Sequence, residues 1–148
     1  MQISNRLFFE AVESTLAEGR EVQIAVRGNS MRPLLRDGRD RVVLHPCAGR
    51  DCRPGDVVLF RHGGRHVLHR IVRRDGEGFV LRGDGNYRLE ERCAEKDVLA
   101  VMTHVIRPSG EALRCSSHRW QRLSRLWLAL HPFLRRCILS LMTRLAIG

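Results

Sequence analysis

A serine, a histidine and an aspartate, each in a distinctive local pattern, are the residues most able to do chemistry together in this sequence. Ser30 follows Arg27-Gly28-Asn29 and precedes Met31-Arg32-Pro33-Leu34. Proline is tolerated in the first turn of a helix, where its missing N–H would be orphaned anyway. The spacing therefore predicts a short helical turn opening near Pro33, with Ser30 just ahead of it. Backbone N–H groups and the positive end of a helix dipole point outward at such a place. An oxyanion formed by attack of the serine would need donors there. A plain N-cap serine fits the same position, and the stretch taken alone favours the cap.

A serine nucleophile needs a base to take its proton. In Val67-Leu68-His69-Arg70-Ile71-Val72, alternation puts His69 on the apolar side with Val67 and Ile71. Desolvation there favours the neutral imidazole, the form that accepts a proton. A core histidine bonded to a backbone carbonyl gives the same pattern. His66 and Arg70 fall on the opposite, solvent-like face. A base histidine also needs an acceptor to hold its tautomer. Asp84 follows a strand-like run in Arg82-Gly83-Asp84-Gly85-Asn86, and Glu90-Glu91 comes next. Aspartate between glycines is also ordinary turn chemistry. Together Ser30, His69 and Asp84, with Glu90 as the alternative carboxylate, form a testable serine–histidine–carboxylate set. No metal or cofactor is expected: His45, Cys47 and Cys52 are loosely spaced and lack a fourth ligand, and there is no C-x-x-C pair.

The elements that must hold these residues follow from the apolar period. Ile3, Leu7, Phe8, Ala11, Val12 and Leu16 recur at helical spacing, predicting an N-terminal helix within residues 1–20 that stops at Gly19. The period then becomes two. Val22, Ile24 and Val26 lead into the serine loop as a half-buried strand, and residues 41–45, 56–61, 65–72, 78–82 and 97–106 repeat the pattern. Asp37-Gly38, Pro54-Gly55, Gly63-Gly64 and Asp75-Gly76 are turn signals between them, and Gly63-Gly64 reads as a hairpin. Residues 21–108 are thus a mainly β core. In residues 109–148, Trp120, Leu123, Trp127, Leu130, Leu134, Cys137, Leu141 and Leu145 return to helical spacing, with Pro132 dividing two helices.

Composition sets the class. A chain of 148 residues, 43% hydrophobic and 28% charged, is an ordinary globular domain, but its formal charge of +10 is not ordinary. Seven arginines and no acidic residue follow Glu111. The C-terminal helices therefore either pack onto the sheet or lie, through residues 116–147, on an anionic membrane surface or in a partner's groove. Aromatics at 5% supply too few stacking platforms for specific nucleic-acid binding. Five irregularly spaced cysteines point to a reduced, cytoplasmic chain. Neither a secretory signal nor an uncharged run of spanning length is expected.

The order of motifs resembles the clan of signal peptidase I and the SOS repressors. Gly28-Asn29-Ser30-Met31-Arg32-Pro33 is similar to its serine box, and Pro54-Gly55-Asp56-Val57-Val58-Leu59-Phe60 to its "GD-hydrophobic" strand. His69-Arg70-Ile71-Val72 is similar to its base-bearing strand, Gly83-Asp84-Gly85-Asn86 to its "GDxN" box and Asp97-Val98-Leu99-Ala100 to its closing strand. The resemblance implies a signal-peptidase-like coiled β-sheet and a serine endopeptidase acting on extended peptides of a protein substrate. Bacterial signal peptidases use a lysine base. Here His69 holds that position and the sole lysine is Lys96, so the pattern is closer to the archaeal and endoplasmic-reticulum branch with a histidine base. By that resemblance Asp84, or Glu90, orients His69, and Gly28 stands where signal peptidases usually carry a hydroxyl. The oxyanion hole then rests on the Ser30 N–H and a further donor, with the Asn29 side chain a candidate, while Met31 packs under the loop. Rival readings are a self-cleaving repressor-type domain, a basic nucleic-acid-binding protein and a scaffold on an inactive peptidase fold.

Overall fold

The protein, described by a computed structural model over residues 2–86 and 88–147, is built on the period-2 stretches. Helix α1 (Gln2–Ala17) precedes strands β1 (Val22–Ala25), β2 (Arg41–Pro46), β3 (Val57–His62), β4 (Arg65–Asp75), β5 (Gly78–Arg82), β6 (Glu90–Ala94), β7 (Val98–Ile106) and β8 (Ala112–Arg114). Helices α2 (His118–Ala129) and α3 (Pro132–Ile147) follow, divided near Pro132 as the spacing predicts. The strands form one curled antiparallel sheet in the order β1-β2-β7-β3-β4-β5-β6, with β8 beside β7. The β3–β4 hairpin closes on Gly63 and Gly64, both at positive φ, with His62 opposite Arg65. A two-residue turn of this hand suits the right-handed twist of the strands.

Both faces of the central strands are covered. One carries Val57 and Leu59 together with Val42, Leu44, Met102, Val12 and Leu16 of α1, Met31, Leu34 and Leu35 of the serine loop, and Trp120 and Trp127 of α2. The other carries Val58, Phe60, Ile71, Phe79, Leu81 and Cys52. The stretches bordered at residues 20 and 108 thus contribute to one core, and removing either buried tryptophan would cost about 3–5 kcal/mol.

Three local features differ from the sequence expectation. Strands β6 and β8 carry no alternating apolar pattern; they are held at the sheet's margin by backbone pairing to β5 and β7. The short turn expected after Ser30 is a single one that no helix continues: Leu35 N–H bonds Met31 O at 3.0 Å, and the Arg32–Pro33 peptide is cis. No helix dipole therefore points at Ser30. Arg70, expected on a solvent-like face, is buried, because Val57 opposite it belongs to a packed face.

Candidate functional site

The serine loop spans residues 26–40 between β1 and β2, and Asp40 pins it. Val26 N–H donates to Asp40 O at 3.0 Å, closing the loop's ends. The fully buried Asp40 carboxylate accepts from the Arg36 N–H at 2.9 Å, from Arg39 at 2.8 Å and from Arg107 at 2.8 Å. Burial alone would push its pKa up, but the hydrogen bonds from Arg39 and Arg107 outweigh this and hold it below the ordinary aspartate value. Within the loop, Gly28 N–H is already committed to Asp37 Oδ2 at 2.8 Å. Met31 is buried beneath the loop, and its Sδ receives the Asp84 N–H at 3.5 Å.

The glycines around Asp84 let the serine loop sit directly on this turn. Gly85 N–H donates to Ser30 O at 2.8 Å. A Cβ at Gly85 would stand 2.7 Å from Asn29 O, and one at Gly83 would stand 2.4 Å from Ser30 O and 2.9 Å from His69 Nε2. Only glycine permits that approach. Ser30 and His69, far apart in sequence, thus meet across Gly83.

His69 is 5% exposed, its ring 6.3 Å from that of Phe60. Its Nδ1 lies 3.0 and 3.1 Å from the two oxygens of Glu91. A proton on Nδ1, donated to this carboxylate, leaves Nε2 as the acceptor nitrogen, and Nε2 borders Gly83 as Ser30 O does. Among the described residues no hydrogen bond joins Ser30 Oγ to His69. Such contacts are commonly long in unliganded enzymes and tighten around substrate.

The two carboxylates expected beside His69 are placed elsewhere. Asp84 accepts from Arg70 through both oxygens, at 2.9 Å from Nε and 2.8 Å from Nη2, with both side chains buried. Arg70 Nη1 also reaches Gly55 O at 2.9 Å, and Trp127 Nε1 donates to Asp84 O at 2.9 Å. Asp84 therefore ties β4, the turn before β3 and α2 to the floor under Ser30. Glu90 lies on the outer face of β6 against Arg82 and Arg73, and the hydrogen bond from Arg82 chiefly holds its pKa low. Adjacent residues of a strand face opposite sides, so Glu91, paired with Leu81, shares the face of His69 and Ile71. Sequence reasoning overlooked Glu91 because β6 was not recognised; once the strand is known, alternation selects it.

Ser30 opens onto a cleft of about 710 Å³ lined by β1 residues, Met31, Leu59, Val67 and Leu68. Phe8 and Phe9 of α1 form its other wall, and Phe9 stacks on the His66 ring at 4.5 Å. β1 pairs only with β2 among the described residues, so its outer edge borders this cleft. Among the described residues no group of three or more histidine, cysteine or carboxylate side chains is placed to hold a metal ion.

The Peptidase S24-like family matches residues 5–106, a stretch that contains Ser30, His69, Asp84, Glu90 and Glu91. No curated protein matches the chain.

Proposed function

Because the chain belongs to the Peptidase S24-like family, we propose that it is a serine endopeptidase in which Ser30 is the nucleophile, His69 the base and Glu91 the residue that orients the base. Ser30 Oγ attacks the peptide carbonyl while His69 Nε2 takes its proton. The amide C–N bond then breaks, and the imidazolium returns that proton to the departing amine. Water, deprotonated by the same nitrogen, hydrolyses the resulting ester and frees Ser30. Glu91 stabilises the imidazolium at each transfer. The Ser30 N–H and the Asn29 side chain are the donors assigned to the oxyanion. The substrate is an extended peptide added to the free edge of β1, where main-chain hydrogen bonds supply register and the cleft takes alternate side chains.

The observation that carries this reading is the arrangement of His69, with Nδ1 on Glu91 and with Nε2 and Ser30 O both bordering Gly83. Treatment with a fluorophosphonate and mass spectrometry of the digested protein tests it. The label should sit on Ser30 and disappear in His69→Ala. An unlabelled folded protein would assign the chain to the inactive-scaffold reading. Spontaneous appearance of a cut within the chain itself would favour the self-cleaving one.

A further inference from the structure

Helix α3 turns only part of its apolar surface to the rest of the protein: Leu139 packs against the main core and Met142 is half-buried. Arg136, Leu139, Ser140 and Thr143 line a narrow cleft against Gly85, Asn86 and Arg88. Leu134, Leu141 and Leu145 are 48%, 57% and 72% exposed, and Ile138 and Phe133 are exposed as well. At about 100° per residue, Leu134, Ile138, Leu141 and Leu145 fall within a stripe roughly 60° wide, about a quarter-turn from the half-buried Arg135, Leu139 and Met142. A surface helix normally turns such a stripe to the core; here it points away. A contiguous exposed apolar patch of this kind marks an interaction surface.

Charge selects what covers it. Seven arginines and no acidic residue follow Glu111, and Arg122, Arg125 and Arg144 are exposed. A second copy of the chain would bring a second set of exposed arginines, Arg122, Arg125 and Arg144, against the first. An anionic bilayer brings opposite charge and an apolar layer at once. We propose that α3 lies in the surface of an anionic membrane, with its leucine stripe at the acyl boundary and the nearby arginines among the lipid phosphates. Helix α2 buries Trp120 and Trp127 in the core and leaves Leu126 and Leu128 exposed. Nor does α3 span: no described helix is long and apolar enough to cross a membrane. The contact is independent of the proposed peptidase activity.

Sedimentation of the full chain with phosphatidylglycerol-containing vesicles tests this, with phosphatidylcholine vesicles as reference. Retention on the anionic vesicles should be at least tenfold stronger and should weaken as salt rises. Leu134→Ser/Leu141→Ser changes exposed residues and no charge, so it should lower retention about tenfold or more without shifting Tm. Arg122→Glu/Arg125→Glu should also weaken it. Wild-type retention in the leucine variant would mean that the apolar stripe is not inserted, and would overturn the proposal. So would a stable dimer that ignores vesicles, or a monomer that binds neither lipid.

Discussion

Three neighbouring carboxylates can be separated by replacing each with its amide, and the structure assigns each a different consequence. Glu91→Gln keeps the shape of the His69 partner but removes its charge. The two side chains are 18% and 6% exposed, so the pair is largely shielded from water. A charge-assisted hydrogen bond of this kind contributes about 1.5–3 kcal/mol. The imidazolium exists only after proton transfer, so most of that loss should appear in the rate, as a roughly 10- to 150-fold fall. Asp84→Asn instead leaves Arg70 buried without its partner. Breaking such a pair costs about 3–5 kcal/mol, which for a chain of this size lowers Tm by roughly 6–20 °C. Glu90→Gln, at an exposed pair, should leave rate and Tm unchanged. The assay is the second-order rate of fluorophosphonate labelling of Ser30 against pH, with thermal unfolding of each variant. A Glu91→Gln protein that labels at the wild-type rate, beside an Asp84→Asn protein that is stable but slow, would refute the assignment.

His69→Ala and Ser30→Ala should each abolish labelling and peptide cleavage by several orders of magnitude, and the double variant should be no worse, because the residues act as one unit. The exposed Lys96 lies outside the site, so Lys96→Ala should be nearly silent in the same assays. Gly83→Ala places a Cβ 2.4 Å from Ser30 O; the backbone must shift, and labelling should fall more than about 100-fold, whereas an unchanged rate would show that the loop does not need this contact. Asp40→Asn should cost about 3–5 kcal/mol near neutral pH, measured by urea unfolding. Because the folded pKa of Asp40 lies below its unfolded value, its stabilisation is complete above about pH 4 and is lost as pH falls through the depressed value. Wild type and Asp40→Asn should therefore converge in stability on the acid side.

Local chemistry was enough to place most of the elements and to single out two of the three residues in the proposed mechanism. The period-2 runs located β1 to β5 and β7, the paired glycines located the β3–β4 turn, and Pro132 divided α2 from α3, because each signal acts over a few residues. Ser30 and His69 stood out for the same reason: one lies in a glycine-bearing loop after a strand, the other on an apolar strand side. The partner of His69 depended instead on a strand with no apolar pattern. Glu90 and Glu91 are indistinguishable as types, and pairing of Leu81 with Glu91 decides which one reaches the imidazole. Arg70 read as a solvent-facing residue and Asp84 as the partner of His69 or a turn residue, but two-sided burial brings them together as an ion pair. The C-terminal helices likewise share one composition, yet α2 buries two tryptophans while α3 leaves Leu134, Leu141 and Leu145 exposed and packs only Leu139 against the core. Periodicity along the chain shows that an element has an apolar side; only the packing of elements distant in sequence determines what that side meets.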